Sequence, residues 1–223
     1  ENAPYGTKTL KEVQNLTCAD AEYLLEQNVK ALVVACNTAT SAAIRILRKK
    51  YQDQMPVIGI EPALKPAVSV KKNPRVIVMA TPMTIREEKF QKLLKQFTSR
   101  AQIISLPCPG LVEFVERGEL ESEALDDFLS VLFAPYKDEP IDAVVLGCTH
   151  YPLIRESIQK SLGSGVAVFD GGAGTARETL RKLKEYQILS DSTERGTVVF
   201  ENSTGDERMI ELSRYLLERN LKH

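Results

Sequence analysis

Histidine is nearly absent from this chain. Of its 223 residues only His150 and His223 are histidine, and only Cys18, Cys36, Cys108 and Cys148 are cysteine. No two cysteines form a Cys-x-x-Cys pair, so the spacing supports neither a disulfide framework nor a zinc site, and two histidines do not supply one. No long hydrophobic run occurs either. The longest, such as Ala31–Cys36 and Ala143–Cys148, are strand-length and far too short to cross a bilayer. No signal peptide is expected at the start. The unpaired thiols fit a reducing cytoplasm, so the Asn-x-Thr sequons at Asn15 and Asn202 are read as chance. Charge of one sign is also lacking: 29 Lys and Arg offset 30 Asp and Glu, a formal net charge of −1. Without a basic stripe there is no nucleic-acid footprint, and a small acidic substrate needs local rather than global attraction.

What is present is an ordinary globular composition, 43% apolar and 26% charged, long enough for one large domain or two small ones. Strand-like apolar runs alternate with helix-period segments, which argues for parallel βα units. The pattern predicts helices over Lys8–Gln27 (with Leu10, Val13, Leu16, Ala19 and Tyr23 on one face), Thr38–Lys50, Pro82–Phe97, Leu111–Arg117, Ser122–Phe133, Pro152–Ser161, Thr175–Tyr186 and Asp206–Arg219. A short helix is expected to open at Glu61-Pro62. Strands are expected at Ala31–Cys36, Val57–Ile60, Arg75–Thr81, Gln102–Leu106, Asp142–Gly147, Val166–Phe169 and Thr197–Glu201. The fold class is doubly wound α/β, whose strands are apolar throughout because both faces of the sheet are covered.

Two segments echo each other. Leu32-Val33-Val34-Ala35-Cys36-Asn37-Thr38 and Val144-Val145-Leu146-Gly147-Cys148-Thr149-His150 are each an apolar strand, a small residue, a cysteine, and polar residues opening a helix. This predicts two similar lobes, each presenting one thiol at the carboxyl edge of its sheet, where open α/β sheets bind ligands. A helix N-terminus would lower a thiol's pKa and leave N–H groups free for an anion. Buried cysteines are commonly inert, but the repeated setting favours function for Cys36 and Cys148; Cys18 and Cys108 are expected to be structural. His150, two residues past Cys148, can exchange protons near neutrality. Asp170–Thr175 is glycine-rich but lacks the Lys-Ser/Thr of a phosphate loop, so a turn before a helix is expected.

The stretches Ala35-Cys36-Asn37-Thr38-Ala39-Thr40 and Gly147-Cys148-Thr149-His150-Tyr151-Pro152-Leu153 resemble the paired signatures of the glutamate racemase family. Pro4-Tyr5-Gly6, Ile60-Glu61-Pro62 and Pro107-Cys108-Pro109 with Glu116 support the resemblance, which runs from the first residues to about Arg177. It implies a cofactor-independent enzyme that makes D-glutamate for peptidoglycan, with Cys36 and Cys148 as acid and base and Glu116 behind His150. Tyr5, Gly6, Asn37, Thr38, Thr149 and His150 would line the glutamate site. No metal, nucleic-acid or membrane partner is implied, and homodimers are common in the family. The implied architecture is two α/β lobes, residues 1–59 with 172–223 and residues 60–171, with the site between them. The family opens with a strand ending in Asp-Ser-Gly, and this sequence starts after that motif, so a segment before Glu1 is expected. Competing readings are an aspartate racemase or related isomerase, a non-catalytic amino-acid-binding protein of the same fold and, more weakly, a cysteine hydrolase, for which no third orienting partner is evident.

Overall fold

The computed structural model describes residues 3–220, and the strands there form two parallel sheets. In the first, β1 (Leu32–Val34) pairs with β2 (Val57–Gly59), from Leu32 opposite Val57 to Val34 opposite Gly59. In the second, β3 (Arg75–Ala80), β4 (Gln102–Pro107), β5 (Ala143–Leu146) and β6 (Ala167–Asp170) lie in the order β4-β3-β5-β6. The α/β class expected from the sequence is the observed one. Among the described residues β1 has no partner on its second edge, and Val33 remains 40% exposed.

The second sheet explains why its strands lack polar alternation. Ile77, Met79, Val144 and Leu146 face one core with Leu111, Leu125, Leu129, Phe133, Tyr151 and Ile158. Val76, Val78, Ala143 and Val145 face another with Leu64, Ala67, Phe90 and Leu94. Each fully buried aliphatic side chain here contributes roughly 1.5–3 kcal/mol. A third core joins β1 and β2 to α1 (Leu10–Glu26) and α2 (Asn37–Tyr51).

α1 starts at a capping box: Thr9 accepts from the Glu12 N–H while the Glu12 side chain accepts from the Thr9 N–H. Of the expected face Val13 is buried, joined by the small Thr17 and Ala21, whereas Leu10 and Tyr23 stay exposed. The small residues let α1 lie close on α2, where Gln14 Nε2 donates to the Ala42 carbonyl at 3.0 Å.

Other expectations are corrected. The short helix is α3 (Leu64–Ala67), beginning after Glu61-Pro62 rather than at it. The expected helix over 82–97 is two, α4 (Pro82–Arg86) and α5 (Glu88–Lys95), because Glu87 is extended. Met83 packs in the core of the first sheet and Phe90 and Leu94 in a core of the second, so one straight apolar stripe could not serve both. Gln91 Nε2 satisfies the Ile85 carbonyl freed at the break, at 2.6 Å.

After α6 (Leu111–Glu116), α7 (Glu123–Phe133), α8 (Arg155–Leu162) and α9 (Gly172–Glu185), the expected strand Thr197–Glu201 does not form. Val198 and Val199 are 68% and 77% exposed there; a β-prone run makes no ladder without an edge in register beside it. The glycine-rich run is the first turn of α9 rather than a turn ahead of it. Of the segment 172–223 assigned by sequence to the first lobe, α9 rests on β2, and Tyr186 donates to the Gln52 carbonyl at 2.6 Å. The last helix, α10 (Glu207–Asn220), rests instead on the second sheet's helices through Leu216 and an Arg219–Glu121 ion pair. Among the described residues no helix is long and apolar enough to cross a membrane.

Candidate active site

Cys36 lies two residues past the end of β1 and is the N-cap of α2, its sulfur accepting from the Ala39 N–H at 3.5 Å. The helix-end setting expected from sequence is therefore present, but it does not lower the pKa. Burial pushes the Cys36 thiol up, and the Ala39 and Thr38 contacts offset only part of that rise.

Cys148 is placed differently. Gly147 before it donates to the Met79 carbonyl at 2.7 Å, so close that a Cβ on Gly147 would lie 2.6 Å from that oxygen. No α-helix follows directly: Tyr151–Ile154 form a 3-10 turn, and α8 begins only at Arg155. The matched helix N-terminus expected for this thiol is absent because Pro152 and the turn delay the helix. Its positive partner is a side chain instead. His150 Nδ1 lies 3.8 Å from the Cys148 sulfur, and His150 Nε2 lies 2.6 Å from Glu116 Oε1.

That pair is electrostatically coherent. Burial alone would lower the His150 pKa, but the Cys148 and Glu116 contacts outweigh it and push it up to about 9. The hydrogen bond from His150 holds Glu116 below the usual carboxylate range, against its own burial. Near neutral pH the imidazole is thus a cation beside Cys148.

Both thiols line one cavity of about 370 Å³, with Tyr5, Gly6, Thr38 and His150 also in its wall. That volume falls within the range of about 300–1,000 Å³ typical of small-molecule sites. Tyr5 donates to Asp20 Oδ2 at 3.2 Å, and burial, with Asp20 adding to it, pushes its pKa up to about 12. Gly6 is buried against the Thr81 side chain. Asn37 is 4% exposed, and its Oδ1 has no hydrogen-bond partner among the described residues. Thr149 donates its hydroxyl to the Ala35 carbonyl, joining the Cys148 loop to the residue before Cys36.

Sequence reasoning missed Thr81, Thr84 and Asp20. Thr38, Thr81 and Thr84 form a closed triangle of buried hydroxyls, with oxygens 3.0, 3.0 and 2.9 Å apart. The signal was legible in Thr81-Pro82, an N-cap followed by a proline suited to the first turn. Asp20 could not be found, since nothing in the sequence brings mid-α1 to Tyr5. Of the cysteines expected to be structural, Cys108 is buried in the same cavity wall and is pushed up to about 12 by burial. Cys18 packs, partly exposed, beside the first core.

The comparison with known proteins decides the family. The Asp/Glu/Hydantoin racemase family matches residues 3–179. The chain belongs to that family. A glutamate racemase from Clostridium botulinum is 50% identical over 218 residues, covering 98% of this chain and 84% of the relative. One from Clostridium acetobutylicum is 49% identical over the same shares. Among solved structures, Escherichia coli glutamate racemase in complex with L-glutamate and the activator UDP-MurNAc-Ala is similar with a TM-score of 0.82 at 29% identity. It covers 97% of this chain and 83% of that one. A glutamate racemase isoform from Bacillus anthracis gives 0.75 at 34% identity, covering 85% and 71%.

Proposed function

We propose that the chain interconverts L- and D-glutamate without a cofactor, using Cys36 and Cys148 as acid and base. The observation that carries the reading is that two thiols from two different sheets line one cavity. Relatives named glutamate racemase at about half identity give the substrate.

In one direction the Cys148 thiolate takes the Cα proton of L-glutamate and becomes a thiol, while the Cys36 thiol gives its proton to the opposite face and becomes a thiolate. The reverse direction exchanges the roles. Inversion of one centre needs a base and an acid on opposite sides, which is why two thiols are required. The positive His150, held by Glu116, stands beside Cys148, the group that takes the proton in this direction. The rising pKa at Cys36 suits a group that starts as an acid in this direction.

The Cα proton next to a carboxylate is weakly acidic, so charge developing on that carboxylate must be stabilised. N–H groups in the first turn of α2 and the hydroxyl of Thr38 are suited to this, while Thr149, its proton given to Ala35, holds the Cys148 loop in place. Asn37 Oδ1 is a buried acceptor without a partner among the described residues, and Asn37 lies outside the cavity lining. Tyr5 and Gly6 would close the cavity beside Cys36. Supply of D-glutamate for peptidoglycan, a cytoplasmic location fitting four free thiols, and homodimer formation belong to the same reading.

The test is a circular-dichroism assay with each enantiomer of glutamate and of aspartate. Loss of optical activity with both glutamates, and at least about a hundredfold slower change with aspartate, is expected. Turnover of aspartate alone would transfer the assignment to an aspartate racemase, and binding of glutamate without turnover would leave a binding protein.

A further inference from the structure

The His150–Glu116 pair has a second side, turned away from the thiols. Behind it lies a separate cavity of about 160 Å³ lined by Val115, Glu116, His150, Met209, Leu212 and Leu216, among others. The last three come from α10, whose faces are sharply divided. Met209, Leu212, Ser213 and Leu216 are turned inward with Arg219, whose charge goes to Glu121, while Arg208, Glu211, Arg214 and Glu218 are exposed. α10 therefore brings no charge to the carboxylate–imidazole pair. The nearby charges on α6 and its following turn are Glu113 and Arg117, and Arg117 is paired with Glu119 at 2.6 Å.

Glu116 needs support from outside its own helix. It is the last residue of a six-residue helix, where the negative end of the helix dipole disfavours a carboxylate. The chain leaves α6 through Gly118 at φ +74°, and the Leu212 Cδ1 lies 3.6 Å from where a Gly118 Cβ would stand. Leu212 thus sits on the turn that follows Glu116 and also on the cavity behind it. The contact that this turn must preserve is tightly limited, because 3.8 Å between His150 Nδ1 and the Cys148 sulfur is near the outer reach of a hydrogen bond to sulfur.

We propose that Leu212 is a positioning residue for Cys148: packed on the Gly118 turn, it keeps Glu116 and the His150 imidazole in line with the thiol and keeps water from replacing that imidazole. The catalytic part of this inference rests on the racemase reading, whereas the positional part does not. α10 follows α9, which rests on the first sheet, so the helix that seats His150 is tethered to the lobe that holds Cys36.

With two histidines in the sequence, ¹⁵N-histidine labelling of the full chain gives few ring signals, and His150→Asn assigns those of His150. In Leu212→Ala, with Leu212→Val as the milder variant should it fail to fold, the His150 ring shifts should move toward those of Glu116→Gln. The value of kcat should fall about tenfold with KM within about twofold, and Leu212→Met should restore both the shifts and the rate. Wild-type His150 shifts in a folded Leu212→Ala protein would overturn the proposal. So would a Leu212→Met variant as impaired as the alanine one. A wild-type chain that racemises nothing would remove the racemase reading, while the shifts still decide the position of the imidazole.

Discussion

Thr149 donates its hydroxyl to the carbonyl of Ala35. One of these residues follows the thiol of the second sheet and the other precedes the thiol of the first, so a single hydrogen bond spans the pair. Both groups are exposed, which sets the bond's value at the ordinary net figure of about 1 kcal/mol. Thr149→Val should therefore lower kcat/KM roughly fivefold, while Thr149→Ser keeps most of it. Steady-state kinetics on both enantiomers checks this, and equal losses in the two variants would show that the hydroxyl is not what matters.

The imidazole gives a pH signature. His150 is raised to about 9 by Cys148 and Glu116 against its own burial, so it carries a proton below that pH and loses it above. Activity should fall as pH rises through about 9. Glu116→Gln should move this limb to lower pH, because the neutral amide no longer holds the cation. His150→Asn should remove the limb and cost about a hundredfold in kcat, within the range of general acid–base effects.

The same pair predicts a stability profile. The folded His150 lies above its ordinary 6.5, so its contribution is fully present below 6.5 and is lost as pH climbs toward about 9. Glu116 is lowered from its ordinary 4.5, so its contribution is fully present above 4.5 and is lost as pH falls through its depressed folded value. Melting temperature from the pair should be highest between those two ordinary values. Glu116→Gln should flatten both slopes, and an unchanged profile would contradict the pairing.

Gly147→Ala tests how the second thiol is delivered. The new Cβ would lie 2.6 Å from the Met79 carbonyl, which is backbone and cannot rotate away. A cost of about 1–3 kcal/mol in stability is expected, typical of overpacking. Activity should drop further than stability does, because the strand end carrying Cys148 has to move. Denaturant unfolding together with kinetics separates the two effects.

Much of this was legible in the residues. The apolar runs at Arg75–Ala80 and Ala143–Leu146 announced buried parallel strands, and the Cys-Asn-Thr and Cys-Thr-His groups pointed to the two thiols that line one cavity. What stayed hidden depends on contacts distant in sequence. The break at Glu87 arises because Met83 and Phe90 serve different cores. The run Thr197–Glu201 has strand composition and no neighbouring edge. The likeness of the two cysteine segments also overstated their symmetry. Cys36 caps a helix, whereas a 3-10 turn follows Cys148 and His150 supplies its positive charge.

The central claim is that Cys36 and Cys148 exchange protons with opposite faces of one Cα. Racemisation in deuterated water, followed by mass spectrometry with wild type, Cys36→Ser and Cys148→Ser, tests it most directly. The account predicts that early product carries one solvent deuterium at Cα while remaining substrate is almost unlabelled, and that either serine variant loses at least about a hundredfold in kcat. Full activity in either variant, or deuterium entering substrate and product equally fast from the start, would contradict it.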